Sequence, residues 1–196
     1  MSGVVHAGKD TIAGILLREH GFKQKAFGAK VKECALAIDP IVGFHYVAGE
    51  LHEPVDRVVP YRLSELIERV GPEKAKENPE VRRLYQRVGT EMGRDIIDPE
   101  LWIKLAFRGL RPQSNIVISD VRLLNEAQAI HKRDGYVWRV IRPGAGLEGE
   151  LGGHRSETEL NDDTDGLYDE IIHNDGTIED LAKKVTDAYL RAGGRD

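Results

Sequence analysis

The residues best suited to chemistry stand at the start of the chain, Gly3-Val4-Val5-His6-Ala7-Gly8-Lys9-Asp10-Thr11, followed by a helical run from Ile12 to His20 that Gly21 closes. Two glycines five apart and then a lysine, at the mouth of a helix, have the spacing of a phosphate-binding loop. Glycines let the backbone curl so that its N–H groups converge on phosphate oxygens. The helix N-terminus adds partial positive charge, and Lys9 can reach the β- and γ-phosphates. A nucleoside triphosphate is the first ligand to consider. The usual pattern places Ser or Thr directly after the lysine to hold Mg²⁺, whereas here Asp10 stands before Thr11. Only Met1 and Ser2 precede Gly3, so the strand expected to lead into the loop reads as truncated. The competing reading of these residues is a Gly-capped turn opening an ordinary helix.

Three further groups of residues could act on the same anion. Asn115-Ile116-Val117-Ile118-Ser119-Asp120 reads as a buried strand ending in an acid, the form of the second nucleotide-binding motif. Its aspartate would orient Mg²⁺ directly or through water, or would merely cap the next turn. Arg122 follows where it could project from the carboxyl edge of a sheet, the edge at which open α/β sheets bind their ligands. A helix over Pro79–Met92 has an apolar stripe of Val81, Leu84, Tyr85, Val88 and Met92. Another of its faces carries Arg83, Gln86, Thr90 and Arg94, with Arg82 and Arg87 alongside. Stacked arginines repel by a few tenths of a kcal/mol per pair, so the face reads either as solvated or as a place for an anion. Finally, Arg139, Arg142 and Arg155 flank or enter a Gly-rich segment that could close over a triphosphate.

The elements that must hold these residues follow an α/β pattern. Short apolar runs alternate with helical periodicity, as in a parallel sheet. After Asp120, helical spacing at Leu123, Leu124, Ala127 and Ile130 ends at Asp134-Gly135. Tyr136–Ile141 and Glu170–His173 read as strands. The last helix opens on Thr177 with Asp180 three residues on, a capping-box variant, and should bury Ile178, Leu181, Ala182, Val185 and Ala188. A helix over Ser64–Val70 is bounded by a capping serine and by Gly71-Pro72. Asn78-Pro79 and Asp98-Pro99 each place a capping side chain before proline at a first helical position. Pro40–Arg62 and Pro143–Asp165 lack a clear pattern and read as mobile excursions from a rigid core.

Bulk composition narrows the function classes. The chain has 196 residues, 40% hydrophobic and 31% charged, as expected of a single soluble globular domain. No apolar stretch approaches a membrane span, and the start is not a signal sequence. Cys34 is the only cysteine, which excludes an intrachain disulfide and fits a reducing cytoplasm. The formal net charge of −5 argues against a partner in polymeric nucleic acid. Positive charge must instead be concentrated locally if phosphates are bound. The seven histidines do not cluster as zinc ligands.

Together these pieces resemble the phage-type deoxynucleoside monophosphate kinases, a branch of the P-loop nucleoside monophosphate kinase fold. The resemblance rests on an ordered set: Ser2-Gly3 through Thr11; Arg82–Glu91; Trp102-Ile103-Lys104-Leu105; Ser119–Arg122; Val140–Gly144; His154-Arg155-Ser156-Glu157; and Asn174–Thr177. It implies a three-layer α/β fold with a central parallel sheet of about five strands flanked by helices. The core would be residues 1–39 and 79–196, with a helical acceptor-binding insertion at about 40–78 and a lid at about 143–165. Lys-Asp-Thr is a normal loop ending in such proteins. Gly3, Ala7, Gly8, Lys9, Asp10 and Thr11 would hold ATP, with Asn174, Gly176 and Thr177 near its base. Phe27, Lys30, Arg83, Gln86, Thr90 and Arg122 would bind the deoxynucleoside monophosphate. Thr11 and Asp120 would meet Mg²⁺, and Lys9, Asp10, Arg122, Arg142 and Arg155 would serve catalysis.

The implied reaction moves the γ-phosphoryl group of ATP to a deoxynucleoside monophosphate in the cytoplasm, of a host cell if phage-encoded. The attacking phosphate loses its second proton near pH ~6, so no strong general base is required. This agrees with a sequence that offers no catalytic triad or carboxylate dyad. A kinase of the same fold with another small acceptor, such as dephospho-coenzyme A, and a nucleotide-binding regulatory module without turnover remain open. A GTPase is disfavoured because no Asn-Lys-x-Asp segment occurs. The base accepted, tolerance of ribose and formation of a homodimer are left open.

Overall fold

A computed structural model describes residues 1–47, 57–111, 114–146, 160 and 166–194. The chain divides into two compact units, one of residues 1–27 with 106–196, the other of residues 28–105.

In the first unit, helix α1 (Lys9–His20) opens at Gly8 and ends on Gly21, whose φ of 66° lets the chain turn out of the helix. Strand β1 (Lys23–Lys25) then pairs in parallel with β4 (Ile116–Ile118). Further on, β5 (Trp138–Ile141) pairs in parallel with β6 (Glu170–His173). Between these two ladders the chain start makes its own bonds. The Met1 amino group donates to Ile118 O, and Met1 O accepts Val121 N–H at 3.2 Å. Ser2 forms an isolated parallel bridge with Arg139, donating to Trp138 O at 2.8 Å and accepting from Val140 N at 2.9 Å. Met1 and Ser2 are buried, so the short lead-in to the loop is anchored on both sides. The regular ladders are short pairs, an α/β arrangement compatible with a P-loop kinase fold.

Helices α1 and α8 (Ile178–Arg191) pack a core with the sheets in which Ile12, Ile15, Val117, Val140, Ile172, Leu181 and Val185 are buried. Of the residues expected to be buried on α8, Leu181, Val185 and Ala188 are, but Ile178 is 66% exposed. It occupies the first turn, before the helix face meets the sheet. Helix α7 (Leu124–His131) fills the β4–β5 crossover and stops short of Asp134, which takes φ 56°.

The second unit runs through α2 (Ala29–Ile38), the antiparallel pair β2 (Ile41–Val47) and β3 (Arg57–Arg62), α3 (Leu63–Val70), α4 (Pro72–Ala75) and α5 (Pro79–Gln86). From Arg87 to Ile97 the helix continues as a π-helix, and α6 (Leu101–Phe107) follows. Its core gathers Val31, Ala35, Val42, Leu63, Val81, Val88 and Trp102.

Two expectations are corrected here. Pro40–Arg62 is no unpatterned excursion where it is described, because β2 and β3 pair in it. Ile, Val, Phe and Tyr dominate these strands, and Pro60 is tolerated because a two-stranded ribbon leaves outward N–H positions unpaired. Ser64 does not cap α3 either. It lies inside the helix, and Asp39 supplies the cap by accepting Ser64 N–H at 2.8 Å and its hydroxyl at 2.9 Å. Asn78 does cap α5, through its side-chain oxygen to Glu80 N at 2.9 Å.

The chain leaves and re-enters the first unit at neighbouring points. The Phe27 and Phe107 rings meet edge to face with centroids 5.7 Å apart, and Lys25 Nζ donates to Ala106 O at 2.9 Å.

Candidate functional site

The glycines of the N-terminal loop are required by its geometry. Gly3 takes φ +144°, and a Cβ there would stand 2.5 Å from Val140 O. Gly8 takes φ +104°, and a Cβ would stand 2.4 Å from Asn174 Nδ2. His6 between them also has positive φ, so the segment turns rather than running on as a strand. Ala7 is fully buried and accepts from Asn174 Nδ2 at 2.9 Å. Asn174, expected near the nucleotide base, thus braces the loop backbone. Gly176 and Thr177 serve the start of α8: Thr177 Oγ1 accepts Asp180 N–H at 3.1 Å, and the Asp180 carboxylate accepts Thr177 N–H at 3.0 Å.

Lys9 folds back over the loop, its Nζ donating to Gly3 O at 2.6 Å and Val4 O at 2.7 Å. It thereby sits within the curl that the sequence assigns to phosphate. Asp10 and Thr11 are exposed on the first turn of α1. Asp10 is tied to β4's end, because Ser119 Oγ donates to Asp10 Oδ1 at 3.1 Å and itself accepts from Gln24 Nε2, also at 3.1 Å. Ser119 and Gln24 are participants the sequence did not flag. A polar residue inside the apolar run before Asp120 was the available signal.

Asp120 lies one residue beyond that contact. Its Oδ1 accepts Phe27 N–H at 2.9 Å, a bond that spans 93 positions and ties the end of β4 to the turn after β1. Phe27 itself is buried against Phe107. The charges nearby converge on one buried point. Burial lowers the Met1 amino group to about 5, Asp120 pulling it up, Lys9 pressing it down and Glu126 pulling it up. Arg122 is exposed on the turn that follows Asp120, and Arg142 is exposed at the end of β5. Arg155 lies outside the described residues, as does most of the segment 143–165.

The other acceptor candidates belong to the second unit. Lys30 on α2 pairs with Glu33. Arg83 on α5 is exposed and pairs with Glu80 at 3.0 Å, while Gln86 and Thr90 are half-buried. A Cβ on Gly89 would be 3.4 Å from Val31 Cγ1, so the helices bearing Lys30 and Thr90 pack together. The π-helix is built around Trp102, whose indole N–H donates to Gly89 O at 2.7 Å and whose ring lies where a Gly93 side chain would be. Arg94 Nη1 donates to the same carbonyl at 3.1 Å.

Comparison with known proteins adds the identity of the fold's lineage. The chain is similar to a protein of Acanthamoeba polyphaga mimivirus provisionally named a deoxynucleotide monophosphate kinase, 29% identical over 199 residues that span 91% of this chain and 89% of that one. The family model for deoxynucleotide monophosphate kinase matches residues 49–185, a range holding the Arg82–Glu91 helix, the Ser119–Arg122 edge and Asn174. With well over half its length matched and the expected motifs in order, the chain belongs to the deoxynucleotide monophosphate kinase family.

Proposed function

We propose that residues Gly3–Thr11 are the ATP-phosphate loop of this kinase, and that Asp120 and Arg122 complete the reacting centre on the facing strand end. The observation that carries the reading is the hydrogen bond from Ser119 Oγ to Asp10 Oδ1. It fastens the first turn of α1 to the carboxyl end of β4, where ligands of α/β sheets bind. The proposal extends to the fold. Met1–Ser2 serve as a central strand, giving the spatial order β1, β4, Met1–Ser2, β5, β6, supported by the hydrogen bonds on either side of those two residues.

In this reading Lys9 leaves Gly3 O and Val4 O for the β- and γ-phosphates of ATP, while loop amides hold the chain of phosphates in place. Arg122 binds the acceptor phosphate, and Arg142 and Arg155 keep their sequence-based assignment to the triphosphate. Phe27, Lys30, Arg83, Gln86 and Thr90, with Arg122, bind the deoxynucleoside monophosphate, the sequence-based assignment. The acceptor's phosphate oxygen attacks the γ-phosphorus in line, and the Pγ–O bond to ADP breaks. No side chain needs to take a proton, since that phosphate is mostly dianionic at neutral pH. The task for the protein is to hold two repelling anions together, which fixed cations and amides accomplish.

Magnesium fits this centre. Thr11 offers a hydroxyl and Asp120 a carboxylate, both hard oxygen donors. Among the described residues no group of three His, Cys, Asp or Glu could hold a metal by itself. That matches an ion brought in with nucleotide phosphates and water, which Mg²⁺ prefers. When bound, it would neutralise charge developing between the β- and γ-phosphates.

The test is a panel of the four deoxynucleoside monophosphates, with ribonucleotides and dephospho-coenzyme A, assayed with ATP for ADP release. At least one deoxynucleotide should be phosphorylated well above the other classes. Lys9→Ala should lower turnover by about two to four orders of magnitude. Near-normal turnover in folded Lys9→Ala protein would sink the assignment of the loop.

A further inference from the structure

Among the described residues, Glu126 is the one ionisable side chain that is buried, at 2% exposed. A carboxylate is removed from water at high cost unless its oxygens are satisfied. Here Oε2 accepts two backbone N–H groups, that of Leu123 at 3.2 Å and that of Arg122 at 2.9 Å. The first bond is what a glutamate in the third position of a helix does for its cap. The second goes beyond a cap. It reaches one residue further back and fixes the peptide that carries Arg122.

The turn is held from its other side as well. Val121 N–H donates to Met1 O, Val121 is 1% exposed, and Asp120 Oδ1 accepts Phe27 N–H. Each residue from Asp120 to Leu123 is thus secured by a hydrogen bond, while the Arg122 side chain is exposed. Such pinning limits the swing of a long cation whose backbone would otherwise move with a surface loop.

We infer that Glu126 is a positioning residue that sets the Asp120–Arg122 turn and thereby delivers the Arg122 guanidinium to the acceptor phosphate. The inference rests on the role proposed above for Arg122. Glu126 touches no substrate and acts through the backbone of its neighbour.

Four proteins test it: Glu126→Ala, Glu126→Gln, Arg122→Ala and the double variant Arg122→Ala/Glu126→Ala. Each is checked for folding by circular dichroism and for ATP affinity by calorimetry. Glu126→Ala should lower kcat/KM for the deoxynucleotide about 10- to 100-fold, with ATP affinity within about twofold of the parent. Glu126→Gln keeps an acceptor oxygen and should lose about three- to tenfold. The double variant should be no worse than Arg122→Ala alone, within about twofold, because one residue works through the other. A purely structural glutamate would instead lower ATP affinity and acceptor kinetics together, and its loss would multiply with that of Arg122. Wild-type kinetics in Glu126→Ala beside an impaired Arg122→Ala would overturn the inference alone. An unimpaired Arg122→Ala would overturn the proposed role of Arg122 and this inference with it. If Glu126→Ala does not fold, Glu126→Gln carries the comparison, and wild-type acceptor kinetics there overturn the inference.

Discussion

At Gly8 two constraints fall on a single missing atom. A side chain would need φ +104°, which L residues avoid, and would collide with the Asn174 amide. Gly8→Ala is expected to weaken ATP binding at least about tenfold while the protein stays folded, read by calorimetry and circular dichroism. Asn174→Ala removes the brace on Ala7 without straining the backbone. Its ATP KM should rise about three- to tenfold with little change in the deoxynucleotide KM, and an unchanged ATP KM would contradict the bracing role. The spacing of Gly3, Gly8 and Lys9 was legible because loop, cap and helix are local in sequence. The partners that fix the loop were not. Asn174 meets Ala7 across 167 positions and Ser119 meets Asp10 across 109, and no periodicity records such pairings.

Among the elements, helices bounded by punctuation were the readable ones. Asn78-Pro79 starts α5 and Gly21 ends α1 as their chemistry demands. The change from α5 to a π-helix was hidden, because its cause is Trp102, thirteen residues beyond the carbonyl it binds. Buried indoles need such a partner. Gly93→Ala would force a methyl group within 2.4 Å of that ring, and should destabilise the protein by about 1–3 kcal/mol in urea melts. Another joint was missed because a cap came from outside its own helix. Asp39 ends α2 and caps α3, and its carboxyl is held below the ordinary value of 3.8, chiefly by Ser64 N–H, with the Ser64 hydroxyl and Arg62 adding to it against partial desolvation. Its contribution to stability is therefore complete above the unfolded value and fades as pH falls through the lower folded one. An NMR titration should give a depressed midpoint that Ser64→Ala moves part of the way back, since the backbone N–H remains.

Among the described residues two cores stand out, each assembled by residues distant in sequence from one another. Val81 and Val185 are both fully buried, one in each core. Truncating either to alanine should cost about 2 kcal/mol. Hydrogen exchange should then quicken first in the unit that holds the substitution, Gly28–Leu105 for Val81→Ala. The α/β class and the kinase lineage could be read from pattern and motif order, whereas the boundaries at Phe27 and Ala106 could not, since no change in composition marks them. Those boundaries bear on protein engineering. Phe27 and Phe107 touch, so the stretch from 28 to 105 departs from and returns to nearly one spot. Every hydrogen bond named for the loop, for Ser119 and for Asn174 is made by residues outside it. Under the proposed assignment of Lys30, Arg83, Gln86 and Thr90, a cassette transplanted from a relative at these two seams would exchange acceptor-binding residues while leaving the loop, Ser119 and Asn174 contacts as they are.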